Sequence, residues 1–340
     1  MCKLNRYFFV ILISLLFLSM YMNGQHVVRY PFKWTYTGNP IVNHMYTADP
    51  TARVWNDTLY VYCSTDQYPA KGCDLMDNYH VFSTPDLKTW TDHGVILSSK
   101  DVSWGRKEGG FMWAPDCIFK NGIYYFYFPH PSGSEDWGTT WKFGIATSNR
   151  PEKGFKVQGF IPNLPPLIDP NVFIDDDGKA YFYIGGAQPG HPCLGGKLKE
   201  NMMEIDGDMK RMEGLEFFHE GPFVFKRKNL YYMIYPDHHK ESKDNLYGNK
   251  MHYAISDNPL GPWIHKGVIL EPTGIETSHG SIVEFKGQWY LFYHNGALSG
   301  CDNLRSICFD KLYFAEDGSI KKVEQTGDFE KADFMPGVKK

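Results

Sequence analysis

The chain has 340 residues, 42 % hydrophobic and 16 % aromatic, with a formal net charge of −4. That length supports a sizeable buried core, and the mild acidity argues against nucleic acid or an anionic membrane surface as partner. High aromatic, Gly and Pro content, with no sustained helical period beyond the N-terminus, points to an all-β protein.

In chain order, the first element is a leader. Lys3 and Arg6 precede an apolar run, Tyr7 to Met20, which is too short for a bilayer span of about 20 residues and suits a signal-peptide core. Residues 1–24 are therefore predicted to be a signal peptide cleaved near Gly24, and the product to be exported, periplasmic or extracellular. A lipid anchor needs a cysteine just after the apolar run, and Cys2 lies before it. No membrane anchor is expected. The other cysteines are Cys63, Cys73, Cys117, Cys193, Cys301 and Cys308, of which Cys63, Cys117 and Cys308 sit in apolar strand-like runs and read as buried thiols. A chain with an ample core needs no disulfide framework, and neither CxxC nor HExxH occurs to suggest zinc.

Residues 25–340 carry one unit five times: a special residue, an apolar strand, a turn, and a strand rich in Tyr and Phe. The copies are DPTARVWNDTLYVYC, APDCIFKNGIYYFYF, DPNVFIDDDGKAYFYI, EGPFVFKRKNLYYMIY and HGSIVEFKGQWYLFY, beginning at Asp49, Ala114, Asp169, Glu220 and His279. Eleven residues separate each first residue from the aromatic of its second strand (Tyr60, Tyr125, Tyr231, Tyr290), or twelve for Tyr181. STPDLKTW at 83–90, TSNRPEKGF at 147–155 and SDNPLGPW at 256–263 recur between copies and read as outer hairpins. Five such units suggest five four-stranded sheets around an axis, a five-bladed β-propeller filling 25–340 as one domain.

The acidic run Asp175, Asp176, Asp177 fails as a calcium loop. With Gly178 at position six, position one is Phe173 and no Glu falls at twelve. Asp177-Gly178 reads instead as a tight, solvated hairpin turn. In a propeller the first strand of each blade lies nearest the axis, so the five unit starts ring one mouth of the channel. Four of them are Asp49, Asp169, Glu220 and His279; the fifth, Ala114, lies beside Trp113. Segments 64–79, 129–141, 185–197, 236–250 and 294–304 return to the same face as its rim. Three carboxylates on one mouth suit glycoside hydrolysis with inversion, which needs a base for water, an acid for the leaving oxygen, and room between them.

ADP, WAPD, IDPNVFIDDDGKAY, HEGPFVF and HGSIVEFKGQWYLFYH, with TWTDHGVIL and RSICFDKLYFAEDGSI, together resemble glycoside hydrolase family 43 along nearly all of 25–340. The resemblance implies a five-bladed propeller and an inverting mechanism. It makes Asp49 the general base, Glu220 the general acid, and Asp169 the residue that orients the acid and tunes its pKa. It also implies that His279 contacts a calcium at the channel centre through water, that Trp113 walls the sugar pocket, and that Arg305 reaches the bound sugar. A core histidine, blade packing and a surface ion pair are the respective alternatives for these three. His238 and His239 in PDHHKESKDN read as a solvated loop. The activity implied is removal of α-L-arabinofuranosyl groups from arabinose- or xylose-containing polysaccharide. The alternatives are a β-xylosidase, an endo-acting arabinanase or xylanase, or a sugar-binding propeller without turnover.

Overall fold

The computed structural model describes residues 29–69, 72–133, 138–186, 188, 190–238 and 248–327. The predicted leader, and His239, lie outside them. The first sheet comprises β1 (Phe32–Thr35), β2 (Thr47–Trp55), β3 (Thr58–Thr65), β4 (Asn78–Thr84) and β5 (Thr89–Ser98), in the order β1-β5-β4-β3-β2. The second is β6 (Asp116–Lys120), β7 (Ile123–Pro131), β8 (Trp141–Ser148) and β9 (Lys156–Phe160). The third is β10 (Ile168–Ile174), β11 (Ala180–Gly185), β12 (Leu194–Leu198) and β13 (Ile205–Arg211). The fourth is β14 (Phe223–Arg227), β15 (Leu230–Pro236), β16 (Met251–Ser256) and β17 (Ile264–Leu270), and the fifth β18 (Gly280–Phe285), β19 (Gln288–Asn295) and β20 (Ser306–Leu312). These are the five blades of a propeller. They depart from a uniform four strands at the two ends of the repeat: the first blade gains β1 outside, and the fifth has three. The chain before β2 runs beside β20 in compensation. Ile41 N–H donates to the Ile307 carbonyl (2.8 Å), Thr47 N–H to that of Arg305 (2.8 Å), and Asn39 bonds the Phe309 backbone.

Alternation along each strand puts apolar side chains against the next blade, so the core is divided among the seams. Tyr62 and Tyr79 meet Phe126 between blades one and two, and Phe143 meets Phe182 between two and three. Tyr183 meets Met233 between three and four, Tyr232 and Tyr253 join Ile282 between four and five, and Phe285 and Phe292 pack with Ala52 and Val61 where blade five closes on blade one. Cys63, Cys117, Cys193 and Cys308 are buried thiols, and none of the six described cysteines is in a disulfide.

Nearer the axis, polar side chains tie inner strands together. Thr51 Oγ1 donates to the Pro115 carbonyl (2.8 Å), and Asp116 accepts Val172 N–H (2.7 Å) and Asn171 Nδ2 (2.9 Å). Asn171 Oδ1 accepts Val224 N–H (2.9 Å), and Ser281 donates to the Pro50 carbonyl (2.8 Å) while accepting Ala52 N–H. Arg53 crosses the channel. Its Nη2 reaches both Asp116 oxygens at 2.7 Å and the Val172 carbonyl at 3.0 Å, and its guanidinium lies 4.9 Å from the Phe223 ring centre. Between this plug and the unit starts is a cavity of about 20 Å³, room for one water.

Candidate active site

The inner strands of blades one and three open alike. Asp49 and Asp169 both take φ 55° immediately before Pro50 and Pro170, and the ladder slips between Ala48 and Thr51 and between Ile168 and Asn171. A left-handed non-glycine residue is uncommon, and a bulge there re-aims the side chain, here toward the axis. Blade four holds the same position with Gly221 (φ 54°) before Pro222. Ladder register settles the equivalence: Thr51 faces Tyr62, Asp116 faces Tyr127 and Phe223 faces Ile234, each two residues after the left-handed or alanine position. Glu220 is thus one residue earlier than the eleven-residue spacing suggests. Gly186 makes room for it: a Cβ on Gly186 (φ 91°) would lie 2.5 Å from Glu220 Cβ.

The side chains converge on His279. Its Nε2 lies 3.1 Å from Glu220 Oε1 and 3.6 Å from Asp169 Oδ2, and its Nδ1 lies 4.0 Å from Asp49 Oδ1. All four residues are buried. Asp169 Oδ2 also accepts Gly221 N–H at 3.1 Å, and Glu220 Oε2 lies 3.5 Å from His219 Nε2. Asp49 accepts Ser64 Oγ (2.7 Å) on Oδ2 and Arg305 Nη1 (3.0 Å) on Oδ1, while its own N–H donates to His294 Nδ1 (2.9 Å). Arg305 is held in turn by Asp66, Nε to Oδ2 at 3.0 Å and Nη2 to Oδ1 at 2.9 Å, and by Thr277 at 3.1 Å. It is 4 % exposed, so the surface ion pair is excluded.

These contacts divide the charges. Burial would raise the Asp49 carboxyl, but Arg305, then His279, His294 and the Ser64 hydroxyl, bring it down to about 2. His279 is desolvated, which disfavours its charge, yet Asp169, Glu220 and Asp49 together lift it to about 10. Burial pushes Asp169 well above the ordinary carboxylate range; His279 opposes this and the charges of Glu220 and Asp49 add to it. Glu220 is also buried, but the His279 hydrogen bond and charge hold it below its usual value. Within the pair, burial raises Asp169, whereas the His279 contact holds Glu220 down. Asp49 stands ionised on the other side of the ring.

Trp113 is half-buried at the same mouth. It packs at a tilt against Trp141 (ring centres 4.7 Å apart) and Phe111 (5.6 Å), clusters with Ile168 beside Asp169, and its Nε1 donates to the Cys73 carbonyl (2.9 Å). The acidic turn is less solvated than expected, since Asp175 binds Lys226 (2.6 Å) and Tyr231 Oη (2.5 Å), while Asp176 and Asp177 are exposed. Ser64, Asp66, His219 and His294 join the site unannounced by the repeat. Their one signal is position: Ser64, Asp66 and His294 lie at strand ends on the mouth that holds the unit starts, and His219 immediately precedes Glu220. Asp169, Glu220 and His279 also form the one group among the described residues whose ligating atoms all lie within 4.8 Å of one another, a set able to hold a divalent cation.

The model of glycosyl hydrolases family 43 matches residues 37–320. The xylosidase/arabinosidase 43A of Humicola insolens is 34 % identical over 83 % of this chain and 98 % of its own. A β-xylosidase/α-arabinofuranosidase from a compost microbial metagenome, solved with xylotriose in a calcium-free form, superposes with a TM-score of 0.75 at 31 % identity. That match covers 86 % of this chain and 98 % of that one. An α-L-arabinofuranosidase of Clostridium thermocellum superposes at 0.67 with 32 % identity, covering 84 % and 96 %.

Proposed function

The chain belongs to glycosyl hydrolases family 43, and on that premise we propose that it removes terminal α-L-arabinofuranosyl groups from arabinoxylan or its oligosaccharides, with inversion. The observation that carries the reading is the meeting of Asp49, Asp169 and Glu220 around the His279 ring at one channel mouth. Release of terminal β-xylosyl groups is the second reading, favoured by the xylotriose complex of the metagenomic relative. Assay on aryl α-L-arabinofuranoside and aryl β-D-xyloside tests both. A clear preference for the xyloside reverses their order, and inactivity on both, with inactivity on arabinoxylan, refutes the glycosidase.

Asp49 accepts a proton from the attacking water, with Arg305 and Ser64 holding its two oxygens in place. Glu220 protonates the leaving oxygen. Asp169, buried beside it and raised well above the ordinary carboxylate range, orients Glu220 and tunes its pKa. Trp113 lends an apolar face to the sugar ring. The donor set also fits a divalent cation, and a relative's structure is described as calcium-free. His279 would hold calcium at the channel mouth through water, where the ion would supply positive charge to the carboxylates. Chelation should then lower activity in the native protein but not in His279→Ala. Among the described residues no helix is long and apolar enough to cross a membrane. The basic residues Lys3 and Arg6 ahead of the apolar run support export, with 1–24 as a signal peptide and 25–340 as the propeller domain.

A further inference from the structure

Asp49 is held at its carboxylate and at its backbone, and the two holds share one frame. Its φ of 55° is a conformation that a non-glycine residue keeps only where the surroundings over-determine it. Arg305 and Ser64 hold the carboxylate. His294, at the end of β19 in blade five, holds the backbone, with Nδ1 2.9 Å from Asp49 N. The other ring nitrogen, Nε2, lies 3.0 Å from the Thr277 carbonyl, and Thr277 Oγ1 in turn accepts Arg305 Nη1 at 3.1 Å.

Those partners fix the tautomer. A backbone N–H can only donate, so Nδ1 presents its lone pair to Asp49; a carbonyl can only accept, so Nε2 carries the proton. The ring is therefore neutral, and burial, with the Arg305 charge, holds its pKa down at about 3. A proton on Nδ1 would set N–H against N–H and draw the ring toward Asp49 Oδ1, 3.5 Å away. His294 is 0 % exposed, so it does not touch the sugar. A fully buried ring with both nitrogens committed can act on the reaction only through Asp49.

We infer that His294 is a positioning residue for the base. Neutral and protonated on Nε2, it ties the left-handed backbone of Asp49 to the same Thr277 segment that steadies Arg305, so backbone and carboxylate keep one register toward the attacking water. The role rests on Asp49 as the base of the proposed function.

The test sets two variants against each other. Asn carries an acceptor where histidine has Nδ1, so His294→Asn keeps the Asp49 bond and gives up Thr277. Gln carries a donor where histidine has Nε2, so His294→Gln keeps Thr277 and leaves the Asp49 N–H without its acceptor. In His294→Gln kcat should fall about 10²-fold, the cost of misplacing a catalytic group by about 1 Å, with KM little changed. The loss should be equal on aryl glycoside and oligosaccharide, because both need the activated water. His294→Asn should retain most of the native kcat. A histidine that only supports the fold would lower the melting temperature of both variants and leave kcat of the folded protein alone. Nitrogen NMR of the native protein needs no variant: the Asp49 amide should couple across the hydrogen bond to an imidazole nitrogen, in a ring protonated only on Nε2. Asp49→Asn, assayed alongside, separates the two levels, since normal turnover there means that the base assignment itself has failed. With Asp49→Asn impaired, normal kcat in folded His294→Gln, equal losses in both histidine variants, a loss confined to the oligosaccharide, or a proton on Nδ1 would each overturn the proposal.

Discussion

Asp49 lies between a guanidinium and an imidazolium, and its ionisation depends on both. Arg305→Gln should move the acidic limb of the kcat/KM profile upward from near pH 2 toward ordinary carboxylate values, because the largest lowering charge is gone. It should also destabilise the fold by about 3–5 kcal/mol, since Asp66 and Asp49 would be left buried without their cation; denaturant titration reads this. Asp169→Asn removes the like-charge neighbour of Glu220. The alkaline limb should shift to lower pH as Glu220 loses its proton more readily; an unmoved limb with near-normal rate would reduce Asp169 to a turn residue. Glu220 and Asp49 part by leaving group. Glu220→Gln should cut oligosaccharide cleavage by about 10²–10⁴-fold yet spare an aryl glycoside whose phenolate departs unaided, whereas Asp49→Asn should depress both alike. The reverse pattern would exchange acid and base.

At the scale of elements, the site depends on how an inner strand begins. The repeat spacing makes Asp49, Asp169 and His279 legible because the ladders of blades one, three and five preserve it. The spacing misplaces Glu220 by one residue, since the left-handed role passes to Gly221, and only the shared Pro carries that information. Arg305 is singled out by the family resemblance, but its contacts are not legible in the sequence. Asp66 is 239 residues away, and no local pattern announces a bond that forms only through the whole topology. Ser64 and His294 are hidden for the same reason: each is ordinary in its own strand and acquires its partner from another turn or blade. Gly186 tests the close fit at Glu220. Gly186→Ala should cost about 1–3 kcal/mol in stability through strain at φ 91°. It should also cost kcat more than KM, because the Glu220 backbone must give way. Normal kcat in a folded variant would show that the acid tolerates displacement.

Across the whole molecule, the buried charges give stability a pH window. Asp49 titrates near 2 when folded and near 3.9 unfolded, so its contribution, on the order of 2 kcal/mol, is complete above pH 4 and lost as pH falls through 2. His279 runs oppositely: raised to about 10, it contributes fully below its unfolded value near 6.5 and loses that contribution as pH rises through 10. The Asp49 and His279 contributions of the metal-free protein therefore overlap fully between about pH 4 and 6.5. The raised Asp169 carboxyl subtracts stability as pH climbs above its unfolded value of about 3.9, so the melting temperature should peak toward the acid end of that window. For His279→Ala the alkaline decline should shrink.

The contact between Arg305 and Asp49 joins residues 256 positions apart, in the last blade and the first. A ribosome making this chain releases Asp49 long before the arginine that steadies it exists. Fragments ending ahead of blade five should consequently be catalytically silent, however well their earlier blades are packed. Onset of turnover during refolding thus times the joining of the two ends, a clock that fluorescence from any single blade does not provide.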